Sequence, residues 1–182
     1  MVTDTTHRPV STLNNSARPS LARRAAQAFF STEVDSAGLI LRLALAVTMF
    51  PHGAQKALGW FGGYGLQGTL GYFTQNGMPL PLALAIVAAE FLGPIALVAG
   101  FFTRWSGFGI GLVMLGAAFM VHGANGFFMN WMGTQKGEGI EYFIPVIAIA
   151  VVLMIKGGGR WALDRVIAAR LANSSSNVTN RF

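Results

Sequence analysis

Long apolar segments, which recur four times along the 182-residue chain, are the feature that most constrains its fold. A helix needs about 20 apolar residues to cross the hydrocarbon core of a bilayer. Only 11% of the residues are charged, whereas soluble domains carry about 25%. The sequence therefore predicts an all-α integral membrane protein, a bundle of four transmembrane helices. The predicted spans cover residues 38–59, 80–102, 105–126 and 141–156.

The predicted membrane domain, residues 31–172, lies between two polar tails. The N-terminal tail, residues 1–30, begins with many Ser, Thr and Asn residues, and we expect it to be partly disordered. It contains no apolar h-region, so a cleavable signal peptide is not predicted. The C-terminal tail, residues 173–182, is also predicted to be disordered.

Further helices are predicted outside the spans. In the linker 60–79, large apolar residues recur at helical spacing, which predicts a short helix on the outer membrane surface. From Arg160 to Leu171, apolar and charged residues share a helical period, which predicts an amphipathic helix on the cytoplasmic side. Residues Leu21–Phe30 could form a short interfacial helix.

Basic residues determine the predicted orientation. Lys and Arg concentrate in both tails and at Arg104, whereas the opposite side of the membrane carries Lys56 and Lys136. By the positive-inside rule, both termini are expected in the cytoplasm. The net charge of +6 comes without a nucleic-acid-binding motif, so these residues are expected to contact anionic lipid and not nucleic acid. The absence of cysteine excludes disulfides and thiolate metal sites within this chain.

Ionisable side chains within the spans are the candidate functional residues. Such groups are costly in a membrane and usually face the bundle interior or water. Glu90 lies near the middle of the second span, and His52 and His122 lie in the outer parts of the first and third. Lys56 and Glu141 lie close to the outer surface. We predict that residues of this group meet between the helices and form a site for a small polar or amphipathic ligand.

Arg42, in the first span, is the expected ion-pair partner of Glu90, and His52 or Lys56 could reach the same carboxylate from the other side. Structural explanations stay open for each residue. The Arg42–Glu90 pair could only clamp two helices, each histidine could only bond a neighbouring helix, and Lys56 could only extend to the head groups. Two imidazoles and a carboxylate could also bind a metal, but no metal-ligand motif is present, and we assign no metal site.

Several short motifs follow one another between residues 38 and 164: Arg42, FPHGAQK at 50–56, EFLG at 90–93, GFFTR at 100–104, His122, EY at 141–142 and GGGRWALD at 157–164. In this order they resemble the DoxX family of small bacterial four-helix membrane proteins. The resemblance implies a multi-pass protein of the bacterial inner membrane. The family takes its name from a subunit associated with a terminal quinol oxidase, and relatives include thiosulfate:quinone oxidoreductase subunits.

The resemblance implies a membrane component of a redox or respiratory system that interacts with quinone. In this hypothesis the catalytic residues are His52, Glu90 and His122. His52 or His122 donates to a quinone carbonyl and relays protons, because imidazole titrates near neutral pH, and Glu90 carries a proton deeper in the membrane or orients the histidine. Two alternatives stay open: a non-enzymatic membrane anchor or assembly subunit for an oxidoreductase partner, and a small transporter, which would have to form an oligomer. The predicted substrate-binding residues are Arg42, Lys56, Glu141 and Trp60.

Overall fold

The structure is a computed structural model that describes residues 20–179, with side chains described up to residue 173. All regular secondary structure in this part of the chain is helical, as the apolar segments predict. The disorder predicted for the start of the chain and for residues 180–182 lies outside the described residues. The α-helices are α1 (Leu21–Phe30), α2 (Ser36–Leu58), α3 (Gly65–Gln75), α4 (Leu80–Ala99), α5 (Thr103–Ala117), α6 (Phe143–Lys156) and α7 (Leu163–Thr179).

Three of the four predicted spans are long and apolar enough to cross a membrane by length and composition. They are α2, α4, and α5 together with its continuation to Asn125. The fourth, α6, has 14 residues and is about 21 Å long at about 1.5 Å per residue, whereas the hydrocarbon core is about 30 Å thick. The chain is therefore an all-α membrane protein with three such helices, and the crossing by α6 stays a prediction.

Apolar side chains at the centre of the bundle hold α2, α4, α5 and α6 together. Helix α2 packs mainly against α4 and α5 mainly against α6, and contacts between α4 and α5 join the two pairs. Other apolar side chains of these helices are exposed on the outside, where lipid tails would surround them. The buried core comprises Leu45, Ala46, Met49, Leu97, Ile110, Met114, Ala118, Phe143, Val146, Ala150 and Leu153.

Gly53 marks a close approach of α2 to α4. A Cβ atom at this position would lie 2.1 Å from the backbone oxygen of Glu90 and 2.6 Å from the Cα atom of Phe91. Pro94, one turn further along α4, has no N–H and leaves the Glu90 carbonyl without its usual helical partner. The contact therefore fixes the position of Glu90 relative to α2.

Asp164 caps α5 at the end of the bundle where α4 ends and α5 begins, called here the basic end. Its carboxylate accepts hydrogen bonds from the backbone N–H groups of Phe102, at 2.8 Å, and Thr103, at 2.9 Å. These N–H groups have no partner within the helix, and the helix dipole favours a negative charge beside them. The carboxylate thereby ties the start of α7 to the start of α5.

Arg104 joins α1 to the C-terminal end of α6. Its guanidinium donates to the backbone carbonyls of Phe29, at 3.0 Å, and Ser31, at 2.9 Å. It also donates to the carbonyls of Met154 and Ile155, in the last turn of α6. Helix C-termini expose unbonded carbonyls and carry partial negative charge, so a cation there is favourable. The basic residue that helped to predict orientation thus also has a capping role.

The shorter predicted helices are present with small changes at their ends. Helix α3 lies within the linker 60–79, and α1 coincides with the predicted segment Leu21–Phe30. Helix α7 begins at Leu163 and continues to Thr179, through part of the segment 173–182 for which disorder is predicted.

The third span departs from a regular helix in its last turns. The predicted span, residues 105–126, agrees with the helical segment Thr103–Asn125, of which the α-helical part, α5, ends at Ala117. A π turn follows over Ala118–His122 and a 3-10 turn over Gly123–Asn125. A π turn holds more residues per turn than an α-helix and often occurs near functional side chains. The change of helix type within the span was not predicted from the sequence.

Candidate binding cavity

A cavity of about 380 Å³ lies inside the end of the bundle opposite the basic end, called here the cavity end. This volume falls in the range of small-molecule sites, about 300–1,000 Å³. Apolar side chains from α5, α6 and the loop between them form much of its wall. The lining residues are His52, Lys56, Glu90, Met114, Ala117, His122, Met129, Glu138, Tyr142 and Phe143.

Lys56 and Glu90 form an ion pair across the α2–α4 interface. The Glu90 side chain is almost fully buried, at 4% exposure, whereas Lys56 is about a quarter exposed. A carboxylate in a low-dielectric interior needs a partner to stay charged. Lys56 supplies this partner by extending from the last turn of α2 towards the middle of α4. The pair gives the cavity one wall that carries both a positive and a negative charge.

Arg42 does not pair with Glu90, so that expectation was wrong. Its guanidinium lies at the basic end, 2% exposed as a residue, and donates to the backbone carbonyls of Leu97, at 2.7 Å, and Val98, at 2.6 Å. It also reaches the carbonyls of Arg160 and Trp161, both at 3.3 Å. The last carbonyls of α4 attract the guanidinium because the C-terminus of a helix carries partial negative charge. Arg42 therefore lies outside the cavity that it was predicted to serve.

His122 is held by a hydrogen bond that determines which ring nitrogen carries the proton. Its Nδ1 lies 2.8 Å from the backbone oxygen of Glu138. A carbonyl oxygen only accepts hydrogen bonds, so Nδ1 must carry the proton. The neutral ring then has an unprotonated Nε2. The ring also packs on Phe143 of α6, with 4.8 Å between the ring centroids.

His52 lies one turn before Lys56 on α2 and completes the polar lining on that helix. It is exposed, unlike Glu90. Because the two residues belong to different helices, their approach depends on the α2–α4 contact at Gly53. His52, Lys56, Glu90 and His122 therefore share one cavity, as the sequence predicts.

The loop between α5 and α6 covers part of the cavity. It is held by backbone hydrogen bonds from Ile140 N to Gly126 O, at 3.1 Å, and from Glu141 N to Phe127 O, at 2.8 Å. Two of its residues, Met129 and Glu138, reach the lining. The loop therefore forms one wall of the site and brings in a second acidic side chain.

Two further predicted site residues lie outside the lining. The Glu141 carboxylate accepts a hydrogen bond from the backbone N–H of Met129, at 3.1 Å, and so braces the loop. Trp60 is 53% exposed and contacts the ring of Phe50, with 6.4 Å between the centroids. Neither side chain touches the space in which a ligand would bind.

Glu138, Met129 and Tyr142 were not predicted as lining residues. Glu138 lies in a polar loop, where sequence alone does not distinguish a cavity residue from a solvated one. Tyr142 was noted only as part of the motif EY at 141–142. In the structure Tyr142, and not Glu141, lines the cavity. The one sequence feature that could have indicated Glu138 is its position shortly before α6, close to the predicted site residue Glu141.

The cavity combines proton donors and acceptors with apolar walls. The Lys56 ammonium and the Tyr142 phenol can donate hydrogen bonds, while the carboxylates of Glu90 and Glu138 can accept them. Each imidazole ring offers two nitrogens that can take part in hydrogen bonds. Within residues 20–179, no three His, Cys, Asp or Glu side chains are placed to hold a metal ion together. The arrangement suits a compact ligand with both polar atoms and an apolar surface.

The fold and site define a class: a small multi-helix membrane protein with an ionisable cavity inside one end of its bundle. The sequence model of the DoxX family matches residues 37–123. The chain is also 30% identical over 132 residues to the inner membrane protein YphA of Escherichia coli (strain K12), covering 70% of this chain and 87% of that protein. No solved structure matches the chain. The chain therefore belongs to the DoxX family.

Proposed function

We propose that this protein is a membrane component of a redox or respiratory system and that its cavity binds the head group of a quinone. The observation that carries the proposal is the meeting of His52, Lys56, Glu90 and His122 in one cavity with apolar walls. Family membership supports a shared role for these side chains, because the DoxX family model covers residues 37–123, which include all four of them.

The donor set fits a quinone. When bound, a quinone supplies two carbonyl oxygens that accept hydrogen bonds and take up protons when the ring is reduced. Lys56 and Tyr142 can donate to such oxygens, and Phe143 offers an aromatic surface beside the His122 ring. A cavity of about 380 Å³ has room for one substituted ring.

The two histidines would have different roles. His122, whose Nδ1 proton is committed to the Glu138 carbonyl, accepts a proton at Nε2 when neutral and can donate one only as imidazolium. His52 is nearer the exposed side and can exchange protons with water. Glu90, paired with Lys56 in the interior, holds the negative charge that keeps the Lys56 ammonium in place.

A binding measurement on the purified full chain tests this proposal. Binding of decylubiquinone in detergent, followed by equilibrium dialysis, is expected to weaken at least about tenfold in Glu90→Gln and His122→Ala, because each removes one polar group of the lining. Glu33→Gln, an exposed change at the basic end, is the matched control and should bind like wild type. Absence of saturable binding to wild type would overturn the proposal.

Turnover is a separate question from binding. Since the chain has no cysteine, electrons would come from a soluble donor or from a partner oxidoreductase subunit. Quinone reduction in proteoliposomes, followed by absorbance with thiosulfate and other donors, would show the chain acting alone. Binding without turnover would instead favour an anchor or assembly subunit, which co-purification in mild detergent would identify by its partner.

The proposed setting is the bacterial inner membrane, with α6 as a fourth span and both termini in the cytoplasm. The relative in Escherichia coli is described as an inner membrane protein, and basic residues concentrate at one end of the bundle. Four crossings return the chain to its starting side. A short α6 can be accommodated by local thinning of the bilayer or by side chains that extend to the head groups.

A further inference from the structure

Helices α1 and α7 pack against each other at the basic end. The side chains of Arg23 and Gln27 in α1 both donate to the backbone carbonyl of Leu171 in α7. Arg24 and Arg170 each lie next in sequence to a residue of this contact, so the contact brings the two nearby segments together. We call the pair α1–α7 the surface platform.

The acidic side chains described at the basic end are already engaged. Asp164 is buried and caps α5. Glu33 pairs with Lys156 at 2.9 Å, and Asp35, which caps α2, lies 3.7 Å from the same ammonium. Among the described residues, no carboxylate is therefore left to neutralise the arginines of the platform.

The platform exposes three arginines that bond to no acidic group of the described residues. Arg24, Arg165 and Arg170 are exposed, and none of them forms a salt bridge within the described part of the chain. In contrast, the guanidinium groups of Arg42 and Arg104 are occupied by helix-end carbonyls. The exposed three are free to bind an external anion.

Apolar side chains lie beside one of these arginines, Arg170, whereas Arg165 lies about 140° further round α7 at about 100° per residue. On α7, Leu163 and Val166 are each 48% exposed, and the helical period places both on the same side as Arg170. Trp161 precedes the helix, is 74% exposed, and has the Arg160 guanidinium 5.6 Å from its ring centroid. Helices that lie at a membrane surface carry Lys and Arg on their polar face and Trp and aliphatic residues on the other face. A long arginine side chain beside the apolar residues can still extend its guanidinium to the head groups.

We propose that the surface platform binds the phosphate head groups of anionic phospholipids, such as phosphatidylglycerol, through Arg24, Arg165 and Arg170. The guanidinium forks match phosphate oxygens, and the adjacent apolar residues contact the acyl region, which a free phosphate ion could not use. The ligand is thus a lipid, and the site is distinct from the cavity at the other end of the bundle.

Native mass spectrometry of the full chain in a neutral detergent tests the proposal. Dioleoyl phosphatidylglycerol and dioleoyl phosphatidylcholine, which share acyl chains, are titrated separately. The anionic lipid is expected to bind at least about fivefold tighter, with the preference reduced at high salt. In R24Q/R165Q/R170Q the preference should fall at least about tenfold or disappear. The control K136Q, an exposed charge change in the loop at the cavity end, should keep it.

Other outcomes decide against the proposal. Equal binding of the two lipids to wild type would overturn it, as would an unchanged preference in the triple variant or an equal loss in K136Q. Displacement of the anionic lipid by 10 mM inorganic phosphate would show an ion site and not a lipid site. If the triple Gln variant does not stay monodisperse, each single Gln variant is measured instead and should show a partial loss of the preference for the anionic lipid. The variant R24K/R165K/R170K, which keeps the three charges, should retain most of this preference.

Discussion

The Lys56–Glu90 pair shows how a single side chain decides whether another can stay charged in the bundle. Glu90 has almost no exposure, and its ionic partner reaches it from another helix. Removing one member of a buried pair leaves an uncompensated charge, which costs more than removing both. The pair therefore links the stability of the bundle to the chemistry of its cavity.

We expect Lys56→Met to destabilise the protein more than Lys56→Met combined with Glu90→Gln. The single variant leaves Glu90 without its cation, whereas the double variant leaves no charge, so a coupling energy of about 2 kcal/mol is expected. Reversible unfolding in mixed micelles, carried out on both single variants and the double variant, measures this energy. Additive effects of the two changes would contradict an interacting pair.

The tautomer of His122 is a second prediction at this scale. Because Nδ1 donates to the Glu138 carbonyl, the neutral ring is expected to carry its proton on Nδ1, although free histidine exists as a mixture of both forms. The ¹⁵N chemical shifts of selectively labelled protein in lipid distinguish the two nitrogens, with His52 as an internal comparison. A dominant Nε2–H signal from His122 would show that this bond is not formed.

At the scale of elements, the contact between α2 and α4 sets where the polar residues meet. Gly53 lies against the Glu90 backbone, and two prolines, Pro51 and Pro94, interrupt the hydrogen bonding of the two helices near the same level. A helix does not need this glycine or these prolines in order to cross a bilayer. Their close approach at this level instead holds His52 and Lys56 beside Glu90.

We expect Gly53→Ala to destabilise the bundle by about 1–3 kcal/mol, because the added methyl group would overlap the Glu90 backbone and force the helices apart. Gly71→Ala is the matched control, since a Cβ atom at that position of α3 meets no atom within 4 Å. There the change should be neutral or stabilising by up to about 1 kcal/mol. Equal unfolding midpoints for the two variants would contradict a tight contact.

Apolar length was sufficient to predict the long helices of the bundle, and the start of α4 at Leu80 agrees with the predicted bound. The polar helix α1 also agrees with its predicted bounds, although it was predicted as an interfacial segment and not from apolar length. The third span was predicted over nearly its observed length. The change to a π turn over Ala118–His122 was not predicted, because an apolar segment of this length indicates a continuous helix.

The candidate site was predictable only in part, for a similar reason. Ionisable residues within apolar segments indicated His52, Glu90 and His122, since such residues are rare in membrane spans. The Arg42–Glu90 pair was predicted wrongly because only side chains were considered as acceptors for the Arg42 guanidinium. Backbone carbonyls at the end of α4 compete for Arg42, and nothing in the sequence marks which helix end will lie beside it.

At the scale of the whole molecule, the two ends of the bundle differ in charge and in use. The cavity end has the loop of residues 126–142 and an ion pair in the interior. The basic end holds the capping arginines and the surface platform. If α6 crosses the membrane, this loop and α7 lie on opposite sides of the bilayer.

Cysteine labelling tests that arrangement directly, because the chain contains no cysteine of its own. Thr134→Cys, in the loop, and Ala169→Cys, on α7, both place a thiol at an exposed position. A membrane-impermeant maleimide added to intact spheroplasts should label the loop variant, and should label the α7 variant only after permeabilisation. Labelling of both before permeabilisation would show that α6 does not span.

The π turn at the end of α5 has a consequence for comparing members of the family. Removing one residue from Ala118–His122 would let the segment become regular helix, yet it would turn His122 by about 100° about the axis. A length difference of a single residue between homologues at this point would thus change which side chain faces the cavity while leaving the preceding helix unaltered. Gaps in an alignment here should be examined before a shared substrate is assumed.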